Sequence, residues 1–164
     1  MKISFFDNEK FVLYLNKYYI KDLKLDDEKE MEIYFKKLFL RLKNNYKLKL
    51  GGYYNIKIYS NKRYGLVIEV EKLISEYFKV YGNNVEMRIA IILDNLFLYE
   101  IEDYFFIKEI KKYLKNVYYK DLKYYLEIDE EIDEKTYSFL LENSKVVYGE
   151  TLDNLSCFNQ IEVL

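Results

Sequence analysis

The chain has no histidine, no proline and no tryptophan, and only one cysteine and five glycines among 164 residues. Each absence removes chemistry. Without imidazole there is no Ser-His-Asp or Cys-His nucleophile, and no side chain whose ordinary pKa lies near neutrality. A zinc site draws on several Cys or His ligands, which Cys157 alone does not supply. The same lone cysteine forms no internal disulfide and fits a reducing compartment. Long apolar runs are missing too. The best candidate, 89–93 with 96–99, is interrupted by Asp94-Asn95 and falls short of the roughly 18 to 20 residues that span a bilayer. Asp7 and Glu9 follow closely on Lys2, so no hydrophobic signal region is expected. These absences lead us to expect a cytoplasmic protein with no membrane segment, no cofactor and no metal centre.

Alanine occurs once, at Ala90, while Lys, Tyr, Asn and Ile abound. Ala, Pro and Gly have GC-rich codons and the abundant residues AT-rich ones, which points to a low-GC bacterium or its phage. Codon bias therefore accounts for part of the count of 20 tyrosines and lowers their weight as evidence for a stacking surface.

Half of the residues are apolar and a third are charged, which excludes a disordered chain and suits one domain over 1–164, with Gly82 to Asn84 the candidate place for a division. The net charge of -2 conceals a polarity. Residues 33–68 hold no acid but nine basic side chains, whereas 121–164 hold eleven acids against three lysines. Two readings follow. The segments compensate each other or face water, or Lys43, Lys47, Lys49, Lys57, Lys62 and Arg63 form an anion-binding surface.

Alternation predicts strands at Lys2 to Phe6 and Phe11 to Leu15 around an Asp7-Asn8-Glu9 turn. Asp27, with Glu30 three residues on, caps a helix whose apolar face is Met31, Tyr34, Phe35, Leu38, Phe39 and Leu42; Asn44-Asn45 and Gly51-Gly52 are expected to stop it. Ile56 and Ile58, then Leu66, Ile68 and Val70, mark two strands joined by a turn over 60–65. Val85 to Leu93 is the clearest strand, and Asp94-Asn95 is expected to turn it into a hairpin with Phe97 to Ile101. Residues 103–115 fit strand or helix. Val117 to Ile128 reads as extended, with Leu122, Tyr124, Leu126 and Ile128 on one side. A second helix starts at Asp133, runs through Tyr137, Leu140, Leu141, Ser144 and Val147-Tyr148, and ends at Gly149. The tail from Glu150 is of mixed character. The order implies an α+β fold, a mainly antiparallel sheet built from hairpins with two principal helices packed on it.

Short motifs add little. Tyr119 and Lys123 match a Tyr-x-x-x-Lys spacing, but the glycine-rich dinucleotide turn is missing. The acids Glu127, Asp129, Glu130, Glu131, Asp133 and Glu134 lack the glycine and spacing of a calcium loop. Gly51-Gly52 lacks the Gly-Lys-Ser/Thr ending of a phosphate loop. Cys157 has no basic sequence neighbour to activate it. Glu100, Glu102 and Asp103 after a strand are the carboxylates best placed to hold magnesium for phosphoryl chemistry, the enzymatic alternative.

The hairpin Ile3 to Leu15, the acidic run before a helix ending in Leu42, and the strand pair closing on Gly65-Leu66-Val67-Ile68-Glu69-Val70 resemble, in order and length, the N-terminal domain of MecA. That family of adaptors feeds substrates to the ClpC protease in low-GC bacteria. The resemblance covers about residues 1–72 and implies an adaptor or regulatory role without catalysis. The acidic linker and protease-binding C-terminal domain of the family are not recognisable.

The sequence thus leads to a non-enzymatic binding or regulatory protein acting on a protein partner, and secondarily to a binder of single-stranded nucleic acid. In the latter, basic side chains of 33–68 neutralise phosphates while Tyr46, Tyr53, Tyr54, Tyr59 and Tyr64 stack on bases. Titration of a labelled single strand separates the two. A nucleic-acid surface gives binding that weakens steeply with salt, and binding that is absent or insensitive to salt removes it.

Overall fold

Two separate sheets, not one, organise the chain. The computed structural model describes residues 1–7, 9–24, 26–46, 52–61, 64–73, 85–93, 95–129, 132–152 and 158–162. They gather into two compact units. One comprises Met1, Ile3–Ser60 and Gly65–Leu93, and the other Lys2, Asn61–Tyr64 and Asp94–Leu164. The division expected at 82–84 falls outside the described residues. Both units follow the expected α+β class, with mostly antiparallel pairing.

The first unit contains β1 (Lys2–Phe5, apart from Lys2), β2 (Lys10–Asn16), α1 (Glu28–Tyr46), β3 (Gly52–Asn61, apart from Asn61), β4 (Gly65–Leu73) and β5 (Val85–Ile92). Asp7 makes the first turn, its Oδ1 accepting from the Glu9 and Lys10 amides at 2.7 Å each. Asp27 caps α1 as expected, Oδ1 accepting from the Lys29 and Glu30 amides at 3.1 Å. The expected capping box is only half used, because the Asp27 amide donates to the Lys24 carbonyl at 3.1 Å. α1 ends at Tyr46, one residue past the expected Asn44-Asn45 stop, and Gly51 lies outside the described residues.

The sheet order is β1-β2-β4-β3-β5. β2 and β4 pair antiparallel over seven residues, from Lys10 opposite Glu71 to Asn16 opposite Gly65. β3 and β5 pair in parallel, from Gly52 opposite Val85 to Tyr59 opposite Ile92. This overturns the hairpin expected between β5 and Phe97 to Ile101. The apolar side chains of β5, Met87, Ile89 and Ile91, pack on the first unit's core, and the following strand joins the other sheet. The helix stripe Met31, Phe35, Leu38, Phe39 and Leu42 covers Phe11, Leu13 and Leu15 of β2, Ile56 and Ile58 of β3, and Leu66, Ile68 and Val70 of β4. Val12, Tyr14 and Val67 on the reverse face are buried as well, so the central strands are apolar on both sides.

The second unit contains β6 (Leu98–Ile101), α2 (Tyr104–Ile110), β7 (Leu114–Lys120), β8 (Lys123–Ile128), α3 (Glu134–Asn143), β9 (Lys145–Val147) and β10 (Asn159–Ile161). Its strands run β10-β7-β8-β6-β9, all antiparallel. Asp103 caps α2, accepting from the Phe105 amide at 2.8 Å, and this resolves part of the segment 103–115 as helix. A third helix thereby joins the two expected ones.

Residues 117–128 are two strands, not one extended stretch. Asp121 and Leu122 form a two-residue turn with φ of 49° and 62°, and Leu122 is 82% exposed. Both central residues of such a turn take positive φ, which a leucine adopts at a cost of about 1 to 2 kcal/mol. Sequence alternation misled here because the usual Asn-Gly signal is absent.

The second helix stops at Asn143, six residues before Gly149. The side chains of Asn143 and Ser144 donate back to the carbonyls of Phe139 and Leu140, at 2.8 and 2.6 Å. Ser144 is extended, and Lys145–Val147 continues as β9 beside β6. No helix among the described residues is long and apolar enough to cross a membrane.

One core group stands out. Tyr54 is 1% exposed, packs edge-on against Phe39 at 5.2 Å between ring centres, and its hydroxyl has no hydrogen-bond partner among the described residues. Such a hydroxyl carries an uncompensated desolvation cost. Tyr54→Phe is expected to stabilise the protein by about 1 kcal/mol, read as a higher denaturant midpoint. An unchanged or lower midpoint would show that the hydroxyl is satisfied.

Candidate functional site

The six basic residues singled out from the sequence are placed only in part. Lys57 lies on β3 with its side chain exposed. Lys43 lies in α1, where its side chain is outside the described set, as are Lys47, Lys49, Lys62 and Arg63. In the first unit Lys36 pairs with Glu32 one helical turn back at 2.6 Å. Cys157, Gly51, Glu130 and Glu131 also lie outside the described residues.

Four carboxylates of the second unit, Glu100, Asp103, Glu127 and Asp133, are engaged by its own strands and helices. Glu100 on β6 accepts from Lys123 on β8 at 2.6 Å. Tyr125, directly opposite Glu100, also hydrogen-bonds to it, and burial followed by this carboxylate pushes the Tyr125 phenol up. Glu127 is buried beside a bulge in β7 that lets Lys115 and Asn116 both reach it, each at 2.6 Å. Burial alone would raise the Glu127 carboxyl. Hydrogen bonds from Asn116 and Lys115, the Lys115 charge and Tyr118 outweigh it and hold the group below its usual value. Asp133 caps α3 through the Thr136 amide at 2.9 Å and accepts from the Tyr113 hydroxyl at 2.5 Å, which keeps its carboxyl well below the usual range. Glu100 and Asp103, two of the three acids considered for magnesium, are thus a strand ion pair and a helix cap. Among the described residues no group of three or more potential metal ligands is found. Tyr119 and Lys123 flank the β7–β8 turn, Tyr119 against the Tyr124 ring and Lys123 on Glu100.

Sequence periodicity did not single out Phe105 and Phe106 of α2 or Phe139 of α3. Phe105 is 74% exposed, the most exposed phenylalanine described. Beside it in sequence, Phe106 stacks on Phe139 of α3, ring centres 5.3 Å apart and planes at 25°, and Phe139 is itself 42% exposed. Lys108 lies over the rings of Tyr104 and Phe105 at 5.6 and 5.8 Å. The inner faces of these helices explain the placement. Ile107 and Ile110 of α2, and Tyr137, Leu140 and Leu141 of α3, are buried, which turns Phe105 and Phe139 outward. The available signal was Tyr104-Phe105-Phe106 after a capping Asp103. An amphipathic helix buries only part of such a run.

Beneath them Tyr99 of β6 and Tyr137 of α3 join hydroxyl to hydroxyl at 2.7 Å, both buried, with rings edge to face at 5.9 Å. Burial pushes the Tyr137 phenol up to about 12 and Tyr99 well above its ordinary value. The pair fixes α3 on its sheet and so holds Phe139 in place.

No family model matches the chain, and neither a curated protein nor a solved structure matches it.

The buried phenols define an alkaline weakness. Burial raises Tyr54 to about 12 as well. A tyrosine of the unfolded chain ionises near pH 10, while these folded groups hold their protons further up. The unfolded state therefore binds fewer protons above pH 10, and stability falls as pH rises from about 10 to 12, by about 1.4 kcal/mol per pH unit for each such group. Melting temperatures measured from pH 9 to 12 should show this decline, and Tyr137→Phe should flatten it. A wild-type profile without decline would contradict the burial described.

Proposed function

We propose that this protein is a non-enzymatic, cytoplasmic binding and regulatory protein that acts as an adaptor, taking an apolar segment of a partner protein on the Phe105–Phe106–Phe139 surface. The observation that carries this reading is the exposure of Phe105 beside the stacked Phe106–Phe139 pair. Large aromatics are enriched where proteins meet, because a ring gives much apolar contact area for few rotatable bonds. Lys108 and the exposed acids Glu109 and Glu142 give the patch a mixed polar border.

The intramolecular employment of Glu100, Asp103, Glu127 and Asp133 supports a role without catalysis. Strand, strand, helix, strand, strand over Lys2 to Leu73 is the order on which the similarity to the MecA-type adaptors rests, and it supports a regulatory role. The lone cysteine supports a reducing compartment. For the alternative, single-stranded nucleic acid on 33–68, the described support is the exposed Lys36, Lys37, Arg41 and Lys57, while Tyr54, Tyr59 and Tyr64, expected to stack on bases, are buried.

The test is comparative capture from a lysate of a low-GC bacterium, using immobilised wild type beside Phe105→Ser and Phe139→Ser. Proteins retained by the wild type should be lost at least about tenfold from both variants, while far-ultraviolet circular dichroism and melting confirm that the variants fold. Equal retention by wild type and both variants would overturn the proposal.

A further inference from the structure

The outward face of α1 carries two aliphatic side chains that the core does not use. Ile33 is 55% exposed and Leu40 59%. Their heptad spacing sets them about 10 Å apart along the helix and within about 20° of each other around it. Met31, Phe35, Leu38, Phe39 and Leu42 take the opposite side into the core, and that packing turns Ile33 and Leu40 outward. Lys36 and Lys37 fall to either side of the line joining the two aliphatics, and Arg41 lies beyond Lys37; all three are exposed. Charge on this face has one sign past the start of the helix. The helix acids are Glu28, Glu30 and Glu32, and from Ile33 to Tyr46 there is none. Glu32 holds Lys36 at 2.6 Å, Glu86 of β5 acts on the same lysine, and Arg41 acts on the Tyr34 phenol.

We infer that this face of α1 binds an acidic amphipathic helix of a partner protein, Ile33 and Leu40 meeting its apolar stripe and Lys37 and Arg41 its carboxylates. Aliphatics at heptad spacing form a seam that a second helix laid alongside can fill. The cationic border favours a partner with acids along its flanks and penalises a basic one. An apolar centre within a charged border is also the anatomy of a protein interface. Phosphates would draw on the cations alone and leave Ile33 and Leu40 unused at the centre, which disfavours a nucleic-acid strand. A lipid surface takes up the broad apolar face of a helix, and that of α1 is already in the core. A second copy of the chain offers helix acids only from Glu28 to Glu32, and Glu32 is engaged by Lys36. The seam lies within the first unit, so the inference does not rest on the aromatic patch.

The probe is a labelled synthetic helix of about 20 residues, with leucines at alternating three- and four-residue spacing and glutamates flanking them. A control peptide carries lysine in place of glutamate. Fluorescence anisotropy on titration with the full chain should show the acidic helix binding at least about tenfold more tightly than the basic one, and less tightly as salt is raised. Ile33→Gln and Leu40→Gln keep helix propensity and should each weaken binding about fivefold; Lys37→Glu should weaken it about tenfold. Phe105→Ser should leave it unchanged. Melting curves check that each variant folds. No binding, equal affinity for the two peptides, or glutamine variants that bind like the wild type would overturn the inference. So would a loss with Phe105→Ser, a thymidine single strand bound more tightly than the acidic helix, or self-association of the chain that Leu40→Gln abolishes, since each assigns the contact elsewhere.

Discussion

Gly65 is the point on which the first unit turns. It stands opposite Asn16 at the end of the β2–β4 register, with φ of 128°, a region open to glycine and rarely to other residues. A Cβ there would sit 2.0 Å from the Leu15 carbonyl oxygen and 2.8 Å from the Asn16 backbone. No rotamer relieves such a contact, because both obstacles are main chain. The close approach is what lets Leu15 and Leu66, opposed one step further in, both be buried under α1. Displacing β2 from β4 would expose Phe11, Leu13, Ile68 and Val70 together. The side chain of Asn16, itself buried, accepts from the Tyr18 amide and closes the same end of β2.

The second unit solves a different problem, how to build a core with tyrosines. A buried phenol brings a hydroxyl that needs a partner. Tyr99 and Tyr137 serve each other, each filling the other's need at 2.7 Å. Tyr113 satisfies its hydroxyl on the carboxylate that caps α3, so one acid starts a helix and anchors an aromatic ring. Tyr118 and Tyr125 lean on Glu127 and Glu100, carboxylates already balanced by lysines. In the first unit, Tyr54 has no such arrangement. A chain whose composition favours Tyr can thus use it as a core residue where a carboxylate or a second phenol is in reach.

The legible parts of the sequence were those where one local rule acted without competition. Asp27 and Asp133 were readable as caps because a short acceptor preceded an apolar 3.6-residue pattern, and both helices begin there. Elsewhere long-range pairing decided. Nothing local to Val85–Ile92 states that it lies parallel to β3, since pairing is a property of two segments. The turn at Asp121-Leu122 lacks the glycine that would have announced it, and the strong β7–β8 register imposes the turn on an ill-suited leucine. Ser144 and Asn143 end α3 by side-chain bonds to its last turn, a signal weaker in sequence than Gly149, although β9 needs the chain extended there. Of the basic run, Lys36, Lys37 and Arg41 on α1 and Lys57 on β3 are exposed, and of the six residues proposed for anion binding Lys57 alone has a described side chain.

Charge counted along a chain and charge presented in space are different quantities, and the second unit shows why. Residues 121–164 are strongly acidic by count. Yet Glu127 lies buried between Lys115 and Asn116, and Asp133 is occupied by Thr136 and Tyr113. Lys115 comes from outside the acidic window, drawn in by the β7–β8 pairing and by a bulge that places it beside Glu127. Antiparallel pairing brings together residues far apart in sequence, so a window of one sign can fold into a locally balanced sheet. Phe105 shows the converse. Composition gives no reason to expect an exposed ring at this surface, but burial of Ile107 and Ile110 turns it outward. Its exposure is therefore set by the helix's own geometry.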